Sequence, residues 1–183
     1  TLHLLDSLAV WQAGGLEGRS LLDVGTGAGF PGLPLRIAHP DLHVTLLDSL
    51  GKRVAFLQET CAALGLADVE CIHGRAEEFA RDHRGRFDVV VPRAVANLRI
   101  LAELCLPLVK TGGRFLSMKA VDSREEIQGA EKALEKLGGS LEQVIDYTIP
   151  TTDIRHRLLV IRKKKETPRQ YPRRFAQIKK QPL

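Results

Sequence analysis

The stretch Leu21-Leu22-Asp23-Val24-Gly25-Thr26-Gly27-Ala28-Gly29-Phe30-Pro31-Gly32 constrains this chain more than any other. The apolar run from Leu21 to Val24 reads as a buried parallel strand. Gly25, Gly27 and Gly29 follow at alternate positions, and a helix-like segment opens behind them. Glycine tolerates positive φ and lets a ligand come close to the backbone. A strand, a glycine turn and a helix N-terminus together cradle the polar part of a nucleotide-like cofactor. The same pattern can also do no more than pack a helix on a sheet.

The dinucleotide fingerprint G-x-G-x-x-G puts its third glycine where this chain has Phe30. Asp23 stands two residues before the first glycine. The resulting D-x-G-x-G-x-G form resembles the first motif of the class I S-adenosylmethionine (SAM) methyltransferases. SAM has no pyrophosphate, but its amino-acid end carries an ammonium group. A carboxylate such as Asp23 suits that charge, directly or through water.

The 183 residues suffice for one good core. No apolar run approaches the roughly 20 residues of a membrane span, so no membrane association is expected. Thr1 to Asp6 lacks the basic start and apolar region of a signal peptide, and an initiator Met, as a processed or truncated chain would. Cys61, Cys71 and Cys105 are odd in number and scattered, which predicts reduced thiols and a cytoplasmic protein. His39 and His43 are separated by Pro40, and no metal site is expected. A monomer is expected.

Charge divides unevenly. Arg155 to Leu183 holds 11 Lys/Arg against one acid, Glu166, which leaves 16 basic and 21 acidic residues for the rest. An acidic body with a cationic end suggests a polyanion partner, with a solubilising tail as the plain alternative.

Strands are predicted at 21–24, 43–48, 68–73, 87–91 and 114–118, alternating with helices at 33–38, 51–64, 76–81, 98–109 and 124–137. Gly112-Gly113 reads as a turn. Two closing strands, 141–148 and 157–162, have no helix between them and predict an antiparallel hairpin. The fold class is therefore α/β: a Rossmann-like, mostly parallel seven-stranded sheet with an antiparallel C-terminal hairpin. Residues 1–18 form a helical segment, with Leu4, Leu5, Leu8 and Trp11 on one face. Residues 19–163 form the SAM-binding domain. Residues 164–183, with Pro168, Pro172 and Pro182 among many cations, predict an extended basic tail.

Asp48 ends the second strand 23 residues after Gly25, where an acid can accept both ribose hydroxyls. Ser49 and Leu50 follow on the adenine side. Gly74-Arg75-Ala76-Glu77 opens the next loop over, where backbone groups can hold adenine; an ordinary helix start is the plain alternative. Val91-Pro92-Arg93-Ala94 ends the fourth strand, where substrate should meet the methyl group. It has no Pro-Cys pair, which disfavours covalent cysteine chemistry on a pyrimidine carbon. It also lacks the Asp/Asn-Pro-Pro-aromatic set that holds an exocyclic amine. Arg93 can stack on a base or bind phosphate, or form an ion pair. Lys119 reaches the same crevice and, with Arg93, is a candidate for substrate positioning. Arg155, His156, Arg169, Tyr171, Arg173 and Arg174 place cations around one aromatic ring, which suits single-stranded RNA.

Longer motifs narrow the reading. Asp23 to Gly32, then Leu47-Asp48-Ser49-Leu50-Gly51-Lys52-Arg53, then Arg93-Ala94-Val95-Ala96, Met118-Lys119 and Thr167-Pro168-Arg169-Gln170-Tyr171-Pro172-Arg173-Arg174 resemble the bacterial small-subunit ribosomal RNA guanine-N7 methyltransferases. These are also called glucose-inhibited division protein B. The resemblance spans nearly the whole chain. It implies that Gly25, Phe30, Asp48, Ser49, Leu50, Ala76, Glu77 and Arg93 contact SAM, with Asp23, Gly27 and Gly29 completing the loop. It moves Arg93 from substrate toward cofactor. It implies methylation of one guanine in small-subunit (16S) ribosomal RNA, so the expected partner is that RNA or the small ribosomal subunit. Two departures stand out. The family's helical N-terminal extension is longer, and residues 175–181 replace a Gly- and Pro-containing stretch. Alternatives are a methyltransferase for another RNA or a small molecule, and a SAM- or RNA-binding module without activity.

Overall fold

A computed structural model describes residues 2–92 and 96–183. The chain runs α1 (Leu2–Leu8), a 3-10 turn (Ala9–Ala13), β1 (Ser20–Val24), α2 (Gly32–Ala38), β2 (His43–Asp48), α3 (Gly51–Ala63) and β3 (Glu70–His73). It continues with α4 (Ala76–Asp82), β4 (Phe87–Pro92), α5 (Leu98–Cys105), β5 (Val109–Ala120), α6 (Arg124–Lys136), β6 (Gly139–Thr148), β7 (Arg155–Lys163) and α7 (Phe175–Lys180).

The seven strands form one sheet in the order β3-β2-β1-β4-β5-β7-β6. The first five are parallel, and β7 runs antiparallel to both β5 and β6. Order reverses between β1 and β4, so the loops after these strands diverge and leave a crevice at their C-terminal ends. The central strands are apolar on both faces because both faces are covered. Leu22, Val24, Val90 and Phe115 pack under α5 and α6, and Leu21, Leu46, Val89 and Leu116 pack on the opposite side with Leu35 and Leu57.

Two expectations are revised. Gly112-Gly113 lies inside β5, whose register against β4 shifts at this point, so the glycines sit in an irregular strand and not in a turn. The segment after β7 is not extended. It folds back and ends in α7, with Tyr171 and Ile178 buried in the core cluster beneath α5. Tyr171, Phe175 and Ile178 are spaced four and three residues apart, an apolar stripe hidden among cations. Arg84 fastens this segment by donating to the Tyr171 carbonyl at 2.6 Å and the Thr167 carbonyl at 2.5 Å. Arg173 grips the fully buried Glu103 with both prongs of its guanidinium, at 2.8 and 2.6 Å.

A buried carboxylate stripped of its partner is costly, about 3–5 kcal/mol. Arg173→Ala should therefore lower stability by about 3 kcal/mol, whereas Asp68→Ala, which breaks the exposed Arg36–Asp68 pair, should cost less than about 1 kcal/mol. Urea denaturation of the two variants checks this. Lys163 gives a pH test. Its buried Nζ donates to the Leu106 carbonyl and to Thr167 Oγ1, two acceptors that a neutral amine satisfies. Burial lowers its pKa from 10.5 to about 8. Between these values the unfolded chain holds a proton that the folded chain lacks, so stability from this group rises with pH. The stability difference between wild type and Lys163→Met should grow from pH 8 to 10.5 in thermal melts.

Candidate active site

The glycine loop is shaped from below. Asp23 is fully buried, and its Oδ2 accepts from Thr26 Oγ1 at 2.7 Å and from Gly32 N at 2.8 Å. A Cβ on Gly32 would come within 2.5 Å of Leu46 Cδ2 and 3.0 Å of Asp23 Oδ2, so only glycine lets α2 start this close to the strand. Asp23 thus lies beneath the loop and holds it shut.

Asp48 holds the loop from the side. Its Oδ2 accepts from Gly27 N and its Oδ1 from Leu50 N, each at 2.9 Å, and Arg53 Nη1 lies 3.5 Å from Oδ2. The backbone N–H groups of Gly25 and Thr26 both donate to the Leu47 carbonyl, at 2.8 and 3.2 Å. Gly25 and Gly27 have φ of 69° and 63°, and nothing lies within 4 Å of where a Cβ would stand. Gly29 continues the turn at φ 92°.

A cavity of about 270 Å³ opens beside this loop at the ends of β1, β2 and β4. Gly25, Ser49, Ala76 and Glu77 line it, and Leu101, Leu104 and Cys105 supply an apolar floor. Arg75 Nε donates to Glu77 Oε1 at 2.7 Å. Phe175 of α7 closes one side, with the Arg75 guanidinium 5.3 Å from its ring centre. Leu50 is half exposed and points elsewhere. Desolvation raises the Cys105 thiol far above its ordinary range and lifts Cys71 to about 12, so neither offers a thiolate.

A second cavity, about 810 Å³, lies across the loop between α1, the end of β5 and the start of α6. Phe30, Asn97, Lys119, Ser123, Glu125 and His156 are among the residues lining it. Lys119 is held inward: Nζ donates to the Ala96 carbonyl at 2.5 Å and to Glu126 Oε1 at 2.7 Å. Glu126 Oε1 also accepts from Leu98 N at 2.5 Å. The pair is a strut for the segment entering α5. His156 Nδ1 sits 2.9 Å from Asp6 Oδ1, which also accepts from Tyr147 Oη at 2.7 Å; this cluster ties α1 to the sheet. Arg93 lies outside the described residues.

The tail residues disperse. Arg155, Arg169 and Arg174 are exposed, Arg173 is spent on Glu103, and Tyr171 is 5% exposed, so its ring offers no face to a base. Arg169 and Tyr171 line a separate cavity of about 690 Å³ with Arg81, Arg84 and Lys163. Phe175, Leu101, Leu104 and Ser123 were not legible as site residues. Only the apolar stripe of the tail carried a signal for Phe175. Among the described residues no group of three His, Cys, Asp or Glu could hold a metal, and no helix is long and apolar enough to cross a membrane.

The fold is shared with solved structures at low identity. TYW2 from M. jannaschii, in complex with AdoMet, superposes with a TM-score of 0.70 at 14% identity over 88% of this chain and 76% of that one. TrmN from Thermus thermophilus gives 0.66 at 20% identity over 86% and 48%. The fold is that of the class I methyltransferases. Sequence relatives are nearer. The ribosomal RNA small subunit methyltransferase G of Lachnoclostridium phytofermentans is 52% identical over 99% of this chain and 76% of its own length. That of Clostridium botulinum (strain Loch Maree / Type A3) is 48% identical over 99% and 77%. The profile of the same family matches residues 1–158. With this identity over nearly its whole length, the chain belongs to the rRNA small subunit methyltransferase G (GidB) family.

Proposed function

We propose that this chain transfers a methyl group from SAM to N7 of a guanine in small-subunit ribosomal RNA. One observation carries the reading: an apolar cavity beside a glycine loop and a buried Asp48 opens at the switch point of the sheet, with a larger cavity across the loop. The residues fit SAM. The open space above Gly25 and Gly27 admits a ligand against the backbone. A carboxylate offers about four acceptor positions, so Asp48 can keep Gly27 N and Leu50 N and still take ribose hydroxyls. Leu101, Leu104 and Phe175 would sandwich the adenine, with Ser49, Ala76 and Glu77 around its edge. Phe30 lines the second cavity, and the family resemblance adds Arg93 to the set.

SAM supplies a sulfonium methyl that is already electrophilic. Guanine N7 carries a lone pair and no proton. Such a lone pair would take the methyl directly, with the S–C electron pair staying on sulfur, and no base would be needed. The chain's task is to hold N7 in line with that methyl, and positioning of this kind can supply several kcal/mol. The Lys119–Glu126 strut fixes Ala96 and Leu98, so the wall of the substrate cavity is rigid before substrate enters. A-form RNA hides N7 in a deep, narrow groove, so the target base must lie in a loop or be flipped out. Exposed Arg155, Arg169 and Arg174 would meet phosphates.

Incubation with methyl-labelled SAM and small-subunit rRNA lacking its N7 methylation tests this directly. Nucleoside digests should carry label in 7-methylguanosine; label in any other nucleoside would overturn the reading. Asp48→Asn should lower SAM affinity about tenfold by weakening charge-assisted hydrogen bonds. Phe175→Ala should lower it about fivefold by removing one aromatic wall, roughly 1 kcal/mol. Calorimetry with SAM checks both, and RNA affinity should not move.

A further inference from the structure

The sequence Ser123-Arg124-Glu125-Glu126 opens α6 in the form of a capping box. In that arrangement the serine hydroxyl accepts from the N–H three residues on, and the glutamate reaches back to the serine N–H. Here neither bond forms. Glu126 turns away to Leu98 N and Lys119 Nζ. Ser123 stands at the N-cap position with no capping bond from its side chain. The residue is 7% exposed, and its Oγ is buried without a hydrogen-bond partner among the described residues. Buried polar groups in folded proteins are nearly always satisfied, and an orphan needs a reason.

The surroundings supply one. Ser123 lines the 810 Å³ cavity that would receive the RNA base. Asp122 and Glu125, on either side of it, line the same cavity, are exposed, and form no salt bridge among the described residues. Phe30 gives the cavity an aromatic wall on which a flipped base can stack. The segment thus offers one hydroxyl, which can donate, flanked by two carboxylates, which only accept.

That set is complementary to one base. The pairing edge of guanine presents an acceptor, O6, beside two donors, N1–H and the N2 amine. Adenine presents N1 as an acceptor between a single amine and a bare carbon. Resting on the reading of this chain as a guanine-N7 methyltransferase, we propose that Asp122, Ser123 and Glu125 read the pairing edge of the target guanine. The Ser123 hydroxyl donates to O6, and the carboxylates accept from N1–H and N2–H. The arrangement also assists the reaction. Methylation at N7 makes the ring cationic, and its N–H groups become stronger donors. Hydrogen bonds to carboxylates therefore strengthen as the transition state forms, and interactions that strengthen there accelerate the step. These three residues are then specificity residues, while the Lys119–Glu126 strut is a positioning element.

The experiment compares wild type, Ser123→Ala and the double variant Asp122→Asn/Glu125→Gln on rRNA with either guanine or inosine at the mapped target. Inosine keeps N7, O6 and N1–H and lacks only the N2 amine. Wild type should place label in 7-methylguanosine and lose at least tenfold in kcat/KM on the inosine substrate. The double variant should lose at least tenfold on guanine and a clearly smaller factor on inosine, where the contact to N1–H is still lost but the partner of the amine is already gone. Ser123→Ala should lose several-fold on both. SAM affinity and melting temperature should stay at wild-type values. Losses for the double variant that are equally large on guanine and inosine, or no loss on either, would overturn the proposal while wild-type labelling leaves the parent reading standing. Wild-type label outside 7-methylguanosine would overturn both.

Discussion

A buried carboxylate needs hydrogen-bond partners, and Asp23 Oδ2 takes two of them from its own loop. In doing so it fixes where the loop can go. Thr26 and Gly32 are drawn down onto the end of β1, and the glycines between them arch over the C-terminal edge of the sheet. Asp48 repeats the device from the next strand, joining Gly27 to Leu50 at the head of α3. The two carboxylates make a rigid cradle out of the most flexible residue type in the chain. The cavities on either side of the loop depend on it.

The cationic C-terminal segment has a structural role that its charge conceals. Arg173 neutralises Glu103 inside the core, Arg84 ties down the carbonyls of Thr167 and Tyr171, and Phe175 is delivered to the wall of the smaller cavity. A segment that reads as a polyanion-binding tail therefore also builds the wall of a small-molecule cavity. Arg155, Arg169 and Arg174 stay exposed, as do Lys164, Lys165, Lys179 and Lys180. On the other flank, Asp6, Tyr147 and His156 lock α1 against the hairpin, so the first helix contributes to the larger cavity and is not a loose appendage.

Much of the fold was legible because the signals were local. Apolar runs bounded by glycine, proline and acids marked every strand, and the missing helix between 148 and 155 announced the antiparallel hairpin. The position of Asp48 at the end of β2, beside the glycine loop, was legible from its distance to Gly25. The intramolecular partners of Lys119 and Asp23 were not legible, since a side chain's partner depends on what lies across the fold. The irregularity in β5 was hidden because Gly-Gly favours a turn locally, while pairing on both sides holds it in the sheet.

By itself the sequence determined the alternation of strands and helices, the glycine loop with its two acids, and through its long motifs the family. Each of these rests on neighbours along the chain or on residue types in fixed order. Tertiary structure alone decided that the tail is folded, that Glu126 forsakes its helix cap for Leu98 and Lys119, and that Ser123 is left without a capping bond beside the larger cavity. Those outcomes pit a local hydrogen bond or a local charge preference against burial and partners dozens of residues away. That competition is settled only when the sheet brings the distant groups together.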